Sequence, residues 1–395
     1  MKPLYRARQA LVGRLLAKPQ PKPITFIGAG AVEQLCAAIA QFGQRRVLIV
    51  TDKPLHDLGV LDPALKALAG NGVTPVVYDG VLPDPTEKVV DDGLALYRSN
   101  NCDSVLAFGG GSSIDAAKVI ALGAANDCMA ADCVGFAKCD NPTVPFFAVP
   151  STSGTGSEAT FIAVISDNET HAKGGVFDPS LIPRAAALDP EISRGLPAHI
   201  TAATGIDALT HAIESYIGRY GSPETDTYGL TACKLIFENL PRACADGNDM
   251  EAREAMSLAS FYGGMAITNA LVGYVHAISH NLGAKYGVPH GLGNALVLPH
   301  VLELLENDAT TKLADIAEHC GMGERSEGDA ALARRLIERV QQLNDEVGIP
   351  RTTDVIKTED IDELVAAAVA EGGTYPCPRF FSAAEIRGII EAIQG

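Results

Sequence analysis

The sequence has no run of 18 or more apolar residues, and its N-terminus lacks the basic, apolar and small-residue regions of a secretory signal. Basic residues are also scarce: 31 Lys and Arg stand against 48 Asp and Glu, which gives a formal net charge of -17. Such a chain repels nucleic-acid phosphates and anionic membrane surfaces unless its basic residues form one patch, and no patch is evident. We therefore expect a cytoplasmic protein that binds neither nucleic acid nor membranes.

The first 23 residues contain basic side chains but no acidic ones, and Leu4, Ala7, Leu11 and Leu15 lie near helical spacing. A mitochondrial targeting sequence has these features, but it is usually rich in serine, and this segment has none. We predict that residues 1–23 are an N-terminal extension that forms a docked helix.

No pair of cysteines has the CxxC spacing, and the total of nine is odd, which predicts reduced thiols. Cys128, Cys133 and Cys139 lie close together in sequence and suggest a metal clip. Thiolate zinc sites, however, usually have spacers of two to four residues and a fourth ligand. We therefore do not expect a metal at these three cysteines.

Internal repeats and low-complexity segments are also absent, and a chain of 395 residues is too long for one ordinary hydrophobic core. From Ile24 to Leu188 short apolar runs alternate with helical patterns, which predicts a layered α/β domain. After Pro197 the strand signals fade and helical patterns dominate. We place the boundary near residue 195, which gives an α/β domain at 1–195, including the extension, and an all-helical domain at 196–395.

Two glycine clusters are candidates for a phosphate-binding turn. Gly28 and Gly30 follow a predicted strand, but the third glycine of a Rossmann fingerprint is missing. Gly109 to Gly111 follow another strand and precede a helix, whose N-terminus offers N–H groups and a partial positive charge to a pyrophosphate. Ser112 and Asp115 also have the spacing of a capping box at this turn. We predict both phosphate binding and capping at the second cluster.

The segment from Ser151 to Ser157 consists of small or hydroxylated residues directly after a predicted buried strand, so it is either a polar linker or a loop that wraps a nucleotide. Asp52 ends another strand. Its carboxylate can accept hydrogen bonds from ribose hydroxyls and repel a 2′-phosphate, which would select NAD over NADP. Alternatively, Asp52 only caps the turn into Pro54.

Five of the nine histidines lie between His211 and His300. Asp207 and His211 are four residues apart, so on a helix they point from the same face. His276 and His280 repeat this spacing, and His290 follows a turn. Each residue alone has an ordinary structural explanation, but together they indicate one shared metal ion.

Three imidazoles and one carboxylate would fill a tetrahedral zinc site, whereas a catalytic ion must keep a position open. Ferrous iron accepts a fifth or sixth ligand and zinc can expand to five, so the ligand set allows either ion. By intrinsic affinity zinc would displace iron, so the supply of metal in the cell decides between them.

Four motifs together resemble the iron-containing (group III) alcohol dehydrogenases. They are Gly109–Asp115, Pro150–Glu158, Gly205–Glu214, and His276–His280 followed by Pro289-His290-Gly291. The resemblance runs from about Ile24 to the C-terminus. It implies a dehydroquinate synthase-like fold, in which an α/β N-terminal dinucleotide-binding domain and an all-α C-terminal metal-binding domain enclose the active site between them.

The resemblance also implies roles for individual residues. It makes Asp207, His211, His276 and His290 the metal ligands, with Fe2+ as the expected ion and Zn2+ as the alternative, and it makes His280 a catalytic proton-relay residue beside the substrate. Together with the glycine turn and the hydroxyl-rich loop, it gives a predicted NAD-binding set of Asp52, Gly110, Gly111, Ser112, Ser113, Asp115, Ser151, Thr152, Thr155 and Lys173.

The sequence departs from the family pattern at two positions. Cys377 precedes Pro-Arg where relatives often have asparagine, and we expect it to line the substrate pocket. Asp84 stands where relatives often have asparagine.

We therefore predict a metal-dependent, NAD-linked dehydrogenase of small primary alcohols, or the reverse aldehyde reductase. The alternatives within the fold are a hydroxyacid–oxoacid transhydrogenase and a glycerol or diol dehydrogenase. A dehydroquinate-synthase-like lyase is more remote, because basic residues for a phosphorylated substrate are scarce around the histidines, and a non-catalytic NAD-binding regulator has no need of metal ligands. A homodimer is compatible with the sequence.

Overall fold

The computed structural model describes residues 2–16, 18–170 and 172–395, which form two compact units. Residues 20–195 make up the first, here called the nucleotide unit, and residues 1–19 with 196–395 make up the second, called the helical unit. Helix α1 (Lys2–Leu16) therefore belongs to the helical unit.

The N-terminal helix is docked, as predicted, but our assignment of residues 1–19 to the α/β domain is wrong. The reason is a set of long-range hydrogen bonds from polar side chains of α1. The Arg6 guanidinium donates to the carbonyl oxygens of Cys377 and Pro378, both at 3.1 Å. The Gln9 amide donates to the carbonyl oxygens of Gly373 and Tyr375.

The nucleotide unit contains nine strands. They are β1 (Ile24–Ile27), β2 (Arg46–Asp52), β3 (Thr74–Val81), β4 (Ser104–Gly109), β5 (Gly135–Phe136), β6 (Phe146–Pro150), β7 (Ile162–Ser166), β8 (Lys173–Phe177) and β9 (Ala185–Leu188). Six form a parallel sheet in the order β1-β9-β6-β4-β2-β3, and the other three form a small sheet in the order β5-β8-β7.

Helices lie between the strands of this unit. They are α2 (Ala31–Gln41), α3 (Lys53–Asp57), α4 (Asp62–Gly70), α5 (Glu87–Ser99), α6 (Gly111–Asn126) and α7 (Ala130–Cys133), with short 3-10 helices at Ser157–Ala159, Pro179–Leu181 and Pro190–Ser193. Leu48 and Val50 pack in one hydrophobic cluster, whereas Val47 and Ile49 pack in another. Both faces of the sheet are therefore buried, which explains why its strands are continuous apolar runs.

The sheet order explains where the predicted nucleotide residues lie. Strands β6, β4 and β2 are adjacent and parallel, so their carboxyl ends lie at the same edge of the sheet. Asp52, the Gly109–Gly111 turn and the Ser151–Ser157 loop follow these three ends. In doubly wound α/β sheets this edge is where ligands bind.

The rest of the helical unit is built from nine further helices. They are α8 (Ala198–Ile217), α9 (Pro223–Ala245), α10 (Met250–Ala270), α11 (Tyr274–Tyr286), α12 (His290–Leu305), α13 (Thr310–His319), α14 (Asp329–Glu346), α15 (Ile361–Gly372) and α16 (Ala383–Ile393), with 3-10 helices at Arg325–Glu327 and Thr358–Asp360. The predicted fold class, α/β followed by all-α, is confirmed.

Close packing brings the start of α12 against α8. A Cβ atom at Gly291 would collide with the carbonyl oxygen of Ala203, so only glycine allows this approach. The neighbouring His290 is thereby held next to the α8 face that carries Asp207 and His211.

Among the described residues, no single helix is long and apolar enough to cross a membrane. Helices α10 and α11 pass the length and composition test only as a pair, and they are bent by 104° at the break between them.

Candidate active site

Asp207 and His211 on α8, His276 on α11 and His290 at the start of α12 converge in the helical unit. One ligand atom from each residue lies within 4.8 Å of the others. The Asp207 Oδ1 atom is 3.7 Å from His211 Nε2, 3.8 Å from His276 Nε2 and 3.3 Å from His290 Nε2. The predicted ligand set is therefore brought together by three helices.

These separations fit a shared metal ion. Ligand atoms about 2.0–2.2 Å from one tetrahedral ion are separated by about 3.3–3.6 Å, close to the values measured around Asp207. Three imidazole nitrogens and one carboxylate oxygen also suit iron or zinc better than magnesium or calcium, which prefer oxygen ligands. The residues present therefore fit the cation that the sequence predicted.

The protonation states also favour metal binding. Burial lowers the pKa of His276 well below its usual value, and the neighbouring imidazoles add to this shift. Burial alone would raise the pKa of Asp207, but the surrounding imidazoles of His211, His290 and His276 hold it well below its ordinary range. A neutral imidazole and an ionised carboxylate are the forms that bind metal.

Glu214, which had no predicted role, contacts one of the predicted metal ligands. Its Oε2 atom lies 2.7 Å from His276 Nδ1 and accepts the N–H of Gly273 at 2.8 Å, while Oε1 accepts the N–H of Val275 at 2.8 Å. Burial raises the pKa of Glu214 to about 8, and these backbone donors oppose the shift. By holding Nδ1, Glu214 directs His276 Nε2 towards the other ligands.

Asn294, one turn after His290 on α12, was also missed. Its Nδ2 atom lies 2.7 Å from Asp207 Oδ1, 3.1 Å from His276 Nε2 and 3.3 Å from His290 Nε2. Its Oδ1 atom is buried and has no hydrogen-bond partner among the described residues. In this structure the amide thus contacts the ligand atoms that a cation would bind.

His280 lies beside this cluster. Its ring stacks on that of His290 with centroids 5.3 Å apart, and its Nδ1 atom is 2.6 Å from Glu371 Oε1. The Tyr375 hydroxyl donates to the same oxygen at 2.8 Å, and the Asn281 amide donates to the other at 3.1 Å. Glu371, another residue the sequence analysis missed, therefore fixes the orientation of the predicted proton relay.

Cys377 was predicted to line the substrate pocket, but its side chain has almost no exposed surface. Its side chain is buried in the core of the helical unit, and its Sγ atom lies 3.9 Å from the carbonyl oxygen of Gly372. Burial also raises the pKa of its thiol well above the usual value. Cys377 is therefore a core residue rather than a residue that lines the substrate pocket.

In the nucleotide unit, the Gly109–Gly111 turn packs closely against the hydroxyl-rich loop. A Cβ at Gly111 would lie 2.7 Å from Thr155 Cγ2, and one at Gly109 would lie 2.5 Å from Ser113 Oγ. Helix α6 begins at Gly111, and no side chain caps it. The two predicted phosphate-binding segments are thus adjacent, and glycine is required where they meet.

The predicted capping box of Ser112 and Asp115 is wrong. The Asp115 carboxylate instead accepts hydrogen bonds from the Ser157 hydroxyl at 2.6 Å and the Val164 N–H at 2.9 Å. These bonds reach residues 42 and 49 positions away, so the carboxylate is not available to the first turn of its own helix. Asp115 therefore positions the loop that follows β6.

Lys118, three residues further along α6, anchors the same loop. Its buried ammonium group donates to Ser157 Oγ at 2.9 Å, Thr160 Oγ1 at 2.9 Å and the Ile162 carbonyl oxygen at 2.7 Å. Burial lowers the pKa of Lys118 to about 8. The sequence did contain a signal for this role. Lys118 lies three residues after Asp115, so both side chains are on one face of the helix.

Two predicted nucleotide residues make local contacts. Asp52 Oδ1 accepts the N–H of Leu55 at 3.0 Å and so caps α3, the alternative that the sequence left open. Lys173 Nζ pairs with Asp84 Oδ1 at 2.8 Å. Both arrangements are compatible with a bound nucleotide, and the roles of Asp52 and Lys173 remain predictions.

The other glycine cluster, Gly28 and Gly30, already has an anionic partner within the chain. Asp189 Oδ2 accepts the N–H groups of Gly30 at 3.0 Å and Val32 at 3.2 Å at the start of α2. A carboxylate of the chain thus takes the place that a phosphate would need at this helix N-terminus.

Comparison with known proteins adds independent support. The iron-containing alcohol dehydrogenase family model matches residues 22–190, and the model of the family's C-terminal part matches residues 201–394. The NAD-dependent methanol dehydrogenase of Bacillus methanolicus is 38% identical over 371 residues, which cover 93% of this chain and 97% of that protein. The lactaldehyde reductase of Escherichia coli K12 is 38% identical over 360 residues, which cover 90% and 93%.

Solved structures show the same similarity. The alcohol dehydrogenase from Oenococcus oeni superimposes with a TM-score of 0.91 at 34% identity, covering 95% of this chain and 100% of that one. The predicted NAD-linked alcohol dehydrogenase function, with iron as the family's metal, is confirmed at the level of the family. The chain belongs to the iron-containing alcohol dehydrogenases.

Proposed function

We propose that this protein interconverts a small primary alcohol and its aldehyde with NAD, at a divalent cation held by Asp207, His211, His276 and His290. The observation that carries the proposal is the convergence of these four side chains, with separations of 3.3–3.8 Å between Asp207 Oδ1 and the three imidazoles. When bound, the cation supplies Lewis-acid chemistry that makes an alcohol oxygen more acidic.

His280 is proposed to move the hydroxyl proton. Because Glu371 holds Nδ1, Nε2 is the ring atom that can exchange a proton with the substrate side. An imidazole is the side chain that most readily exchanges a proton near neutral pH. Tyr375 and Asn281 hold Glu371 in turn, so the relay is kept in one orientation.

The nucleotide unit is proposed to hold NAD at the carboxyl ends of β2, β4 and β6. The N-terminus of α6 faces the pyrophosphate in this proposal, and the loop anchored by Lys118 and Asp115 supplies hydroxyls. The proposed contacts are Asp52, Gly110, Gly111, Ser112, Ser113, Ser151, Thr152, Thr155 and Lys173. Asp115 acts through its hydrogen bond to Ser157 rather than through a cofactor contact.

The proposed substrate class is short-chain alcohols and diols. The names of relatives support it, since they include a methanol dehydrogenase, a lactaldehyde reductase and the 1,3-propanediol dehydrogenase of Citrobacter freundii, which is 37% identical over 372 residues. The cytoplasmic location and a homodimeric state remain predictions from the sequence.

The test uses the purified protein, prepared without oxygen and loaded with Fe2+ or Zn2+. NADH formation is followed with a panel of primary alcohols and diols, and NADH consumption with the matching aldehydes. We expect the protein to catalyse the reaction. A chelator should abolish turnover, and addition of either ion should restore it. Failure with every alcohol and aldehyde would contradict the proposal. Transfer between a hydroxyacid and an oxoacid without release of NADH would instead show the transhydrogenase reaction.

A further inference from the structure

Three cysteines of the nucleotide unit form a cluster that the dehydrogenase reaction does not use. Cys133 Sγ lies 3.6 Å from Cys128 Sγ and 3.8 Å from Cys139 Sγ, and all three sulfur atoms lie within 4.8 Å of one another. Cys133 is buried, whereas Cys128 and Cys139 are partly exposed. The sequence spacing had argued against a metal here, but the fold brings the thiols together.

The backbone on the α6 side of the cluster is fixed by hydrogen bonds. The Cys128 N–H donates to the Gly123 carbonyl oxygen at 3.3 Å, and its own carbonyl oxygen accepts from Arg98 at 3.3 Å. The N–H of Ala130, at the start of the short helix that ends at Cys133, donates to Asp91 Oδ1 at 2.9 Å.

The segment that carries Cys139 is fixed independently. Asn126 and Asn141 exchange two hydrogen bonds, at 2.8 and 2.9 Å, and these close the loop between them. The Ala137 N–H donates to the Phe177 carbonyl oxygen at 2.9 Å. The backbone around all three cysteines is therefore fixed by contacts that do not involve sulfur.

The distances between the sulfur atoms match those of a shared ion. Thiolates bound about 2.3 Å from a tetrahedral zinc are about 3.8 Å apart, whereas the two sulfur atoms of a disulfide are about 2.05 Å apart. We propose that Cys128, Cys133 and Cys139 form a second metal site, which binds a thiophilic d10 cation such as Zn2+ or Cu+ through three thiolates. Soft sulfur ligands select such ions over the harder cations that carboxylates prefer.

The surroundings of the cluster favour a cation with a structural role. Cys128 follows the C-terminal end of α6, where the helix carries a partial negative charge. The glycine turn at the other end of α6 is about 24 Å away at 1.5 Å per residue, so an ion here does not reach the cofactor.

The experiment uses Cd2+ as the probe, because cadmium–thiolate bonds absorb in the ultraviolet, whereas cadmium bound by imidazole and carboxylate does not give this band. Reduced, metal-free protein is titrated without oxygen. The wild type should develop the thiolate band within two equivalents, because the Asp207 cluster also takes up cadmium without giving the band, and Cys133→Ser should lose it. Cys139→Ser serves as a second variant with a partly exposed side chain, in case loss of the buried thiol impairs folding.

The matched control is Cys102→Ser, which removes a buried cysteine of the same unit and should keep the band. After dialysis against Zn2+, wild type and Cys102→Ser should retain one more equivalent of zinc than Cys133→Ser, and all three should have the same turnover. Equal zinc content and equal absorbance in wild type and Cys133→Ser would overturn the proposal, leaving hydrogen-bonded neutral thiols. A disulfide, seen as a loss of two free thiols and of the cadmium band, would also overturn it.

Discussion

Glu214 Oε2 lies 2.7 Å from His276 Nδ1, with both side chains buried, so the orientation of this proposed ligand depends on a residue that does not contact the metal. Outer partners of this kind commonly contribute ten- to a hundredfold to metal affinity. The backbone N–H groups of Gly273 and Val275 hold Glu214 from the other side.

We predict that Glu214→Gln weakens binding of Zn2+ by roughly tenfold to a hundredfold, because a glutamine of the same size accepts hydrogen bonds at only one of its two terminal atoms. Competition with a chromophoric chelator measures this affinity. The NAD dissociation constant, measured in parallel, should not change. An unaltered zinc affinity would show that His276 needs no support from Glu214.

His280→Gln should lower kcat by about a hundredfold while the protein keeps its metal, since glutamine retains polarity but cannot carry a proton. The measurement is kcat as a function of pH, together with metal content. A variant whose kcat and pH profile match the wild type would remove His280 from the proposed relay.

Asp52→Asn should raise the preference for NADP relative to NAD by about tenfold, because it removes a charge that repels a 2′-phosphate. Asparagine is also a good N-cap, so the hydrogen bond to Leu55 can be kept and α3 should stay intact. The ratio of kcat/KM values for the two cofactors tests this at one fixed alcohol. A wild type that already prefers NADP, or a ratio that does not move, would reduce Asp52 to a helix cap.

Glu158, which follows the hydroxyl-rich loop, should make stability depend on pH. Burial raises the pKa of Glu158 from 4.5 to about 7, so between these values the folded chain binds a proton that the unfolded chain has released. The free energy of unfolding therefore falls as pH rises from about 4.5 to 7, by on the order of 3 kcal/mol. Glu158→Gln should reduce the slope by this amount, whereas the contribution of buried Glu214, whose pKa is raised to about 8, should persist.

Urea unfolding at several pH values between 4.5 and 7.5 measures the slope, with Glu33→Gln as an exposed control that should behave like the wild type. If Glu158→Gln and wild type lose stability in parallel as pH rises, Glu158 is not the group responsible.

The sequence predicted features that depend on local pattern. The fully buried strand β4 is a continuous apolar run, and Asp207 and His211 share a helix face because they are four residues apart. The spacing of Ser112 and Asp115 also predicted a capping box that does not form, because the Asp115 carboxylate accepts hydrogen bonds from residues beyond its own helix. That competition exists only once the chain has folded.

The roles of Glu214 and Asn294 could not be predicted for the same reason, because they too depend on tertiary contacts. Glu214 and Asn294 acquire their roles because α8, α11 and α12 meet, and nothing in their local sequence requires that meeting. The cysteine cluster was rejected on its spacing, since the short helix and closed loop that bring the sulfur atoms together are not visible in a count of residues.

Asp207 and three histidines are proposed to hold the metal on which turnover depends, and the metal content of His290→Ala is the decisive measurement. His290 is the best position because its side chain is 34% exposed, whereas loss of His276 would leave the buried Glu214 carboxyl without its imidazole partner. His300→Ala, which removes a histidine of the same helix outside the cluster, is the control. We predict that His290→Ala loses stoichiometric metal and turnover while NAD affinity is unchanged, and that His300→Ala keeps all three. Stoichiometric metal and normal turnover in His290→Ala would show that His290 is not a ligand of a catalytic metal.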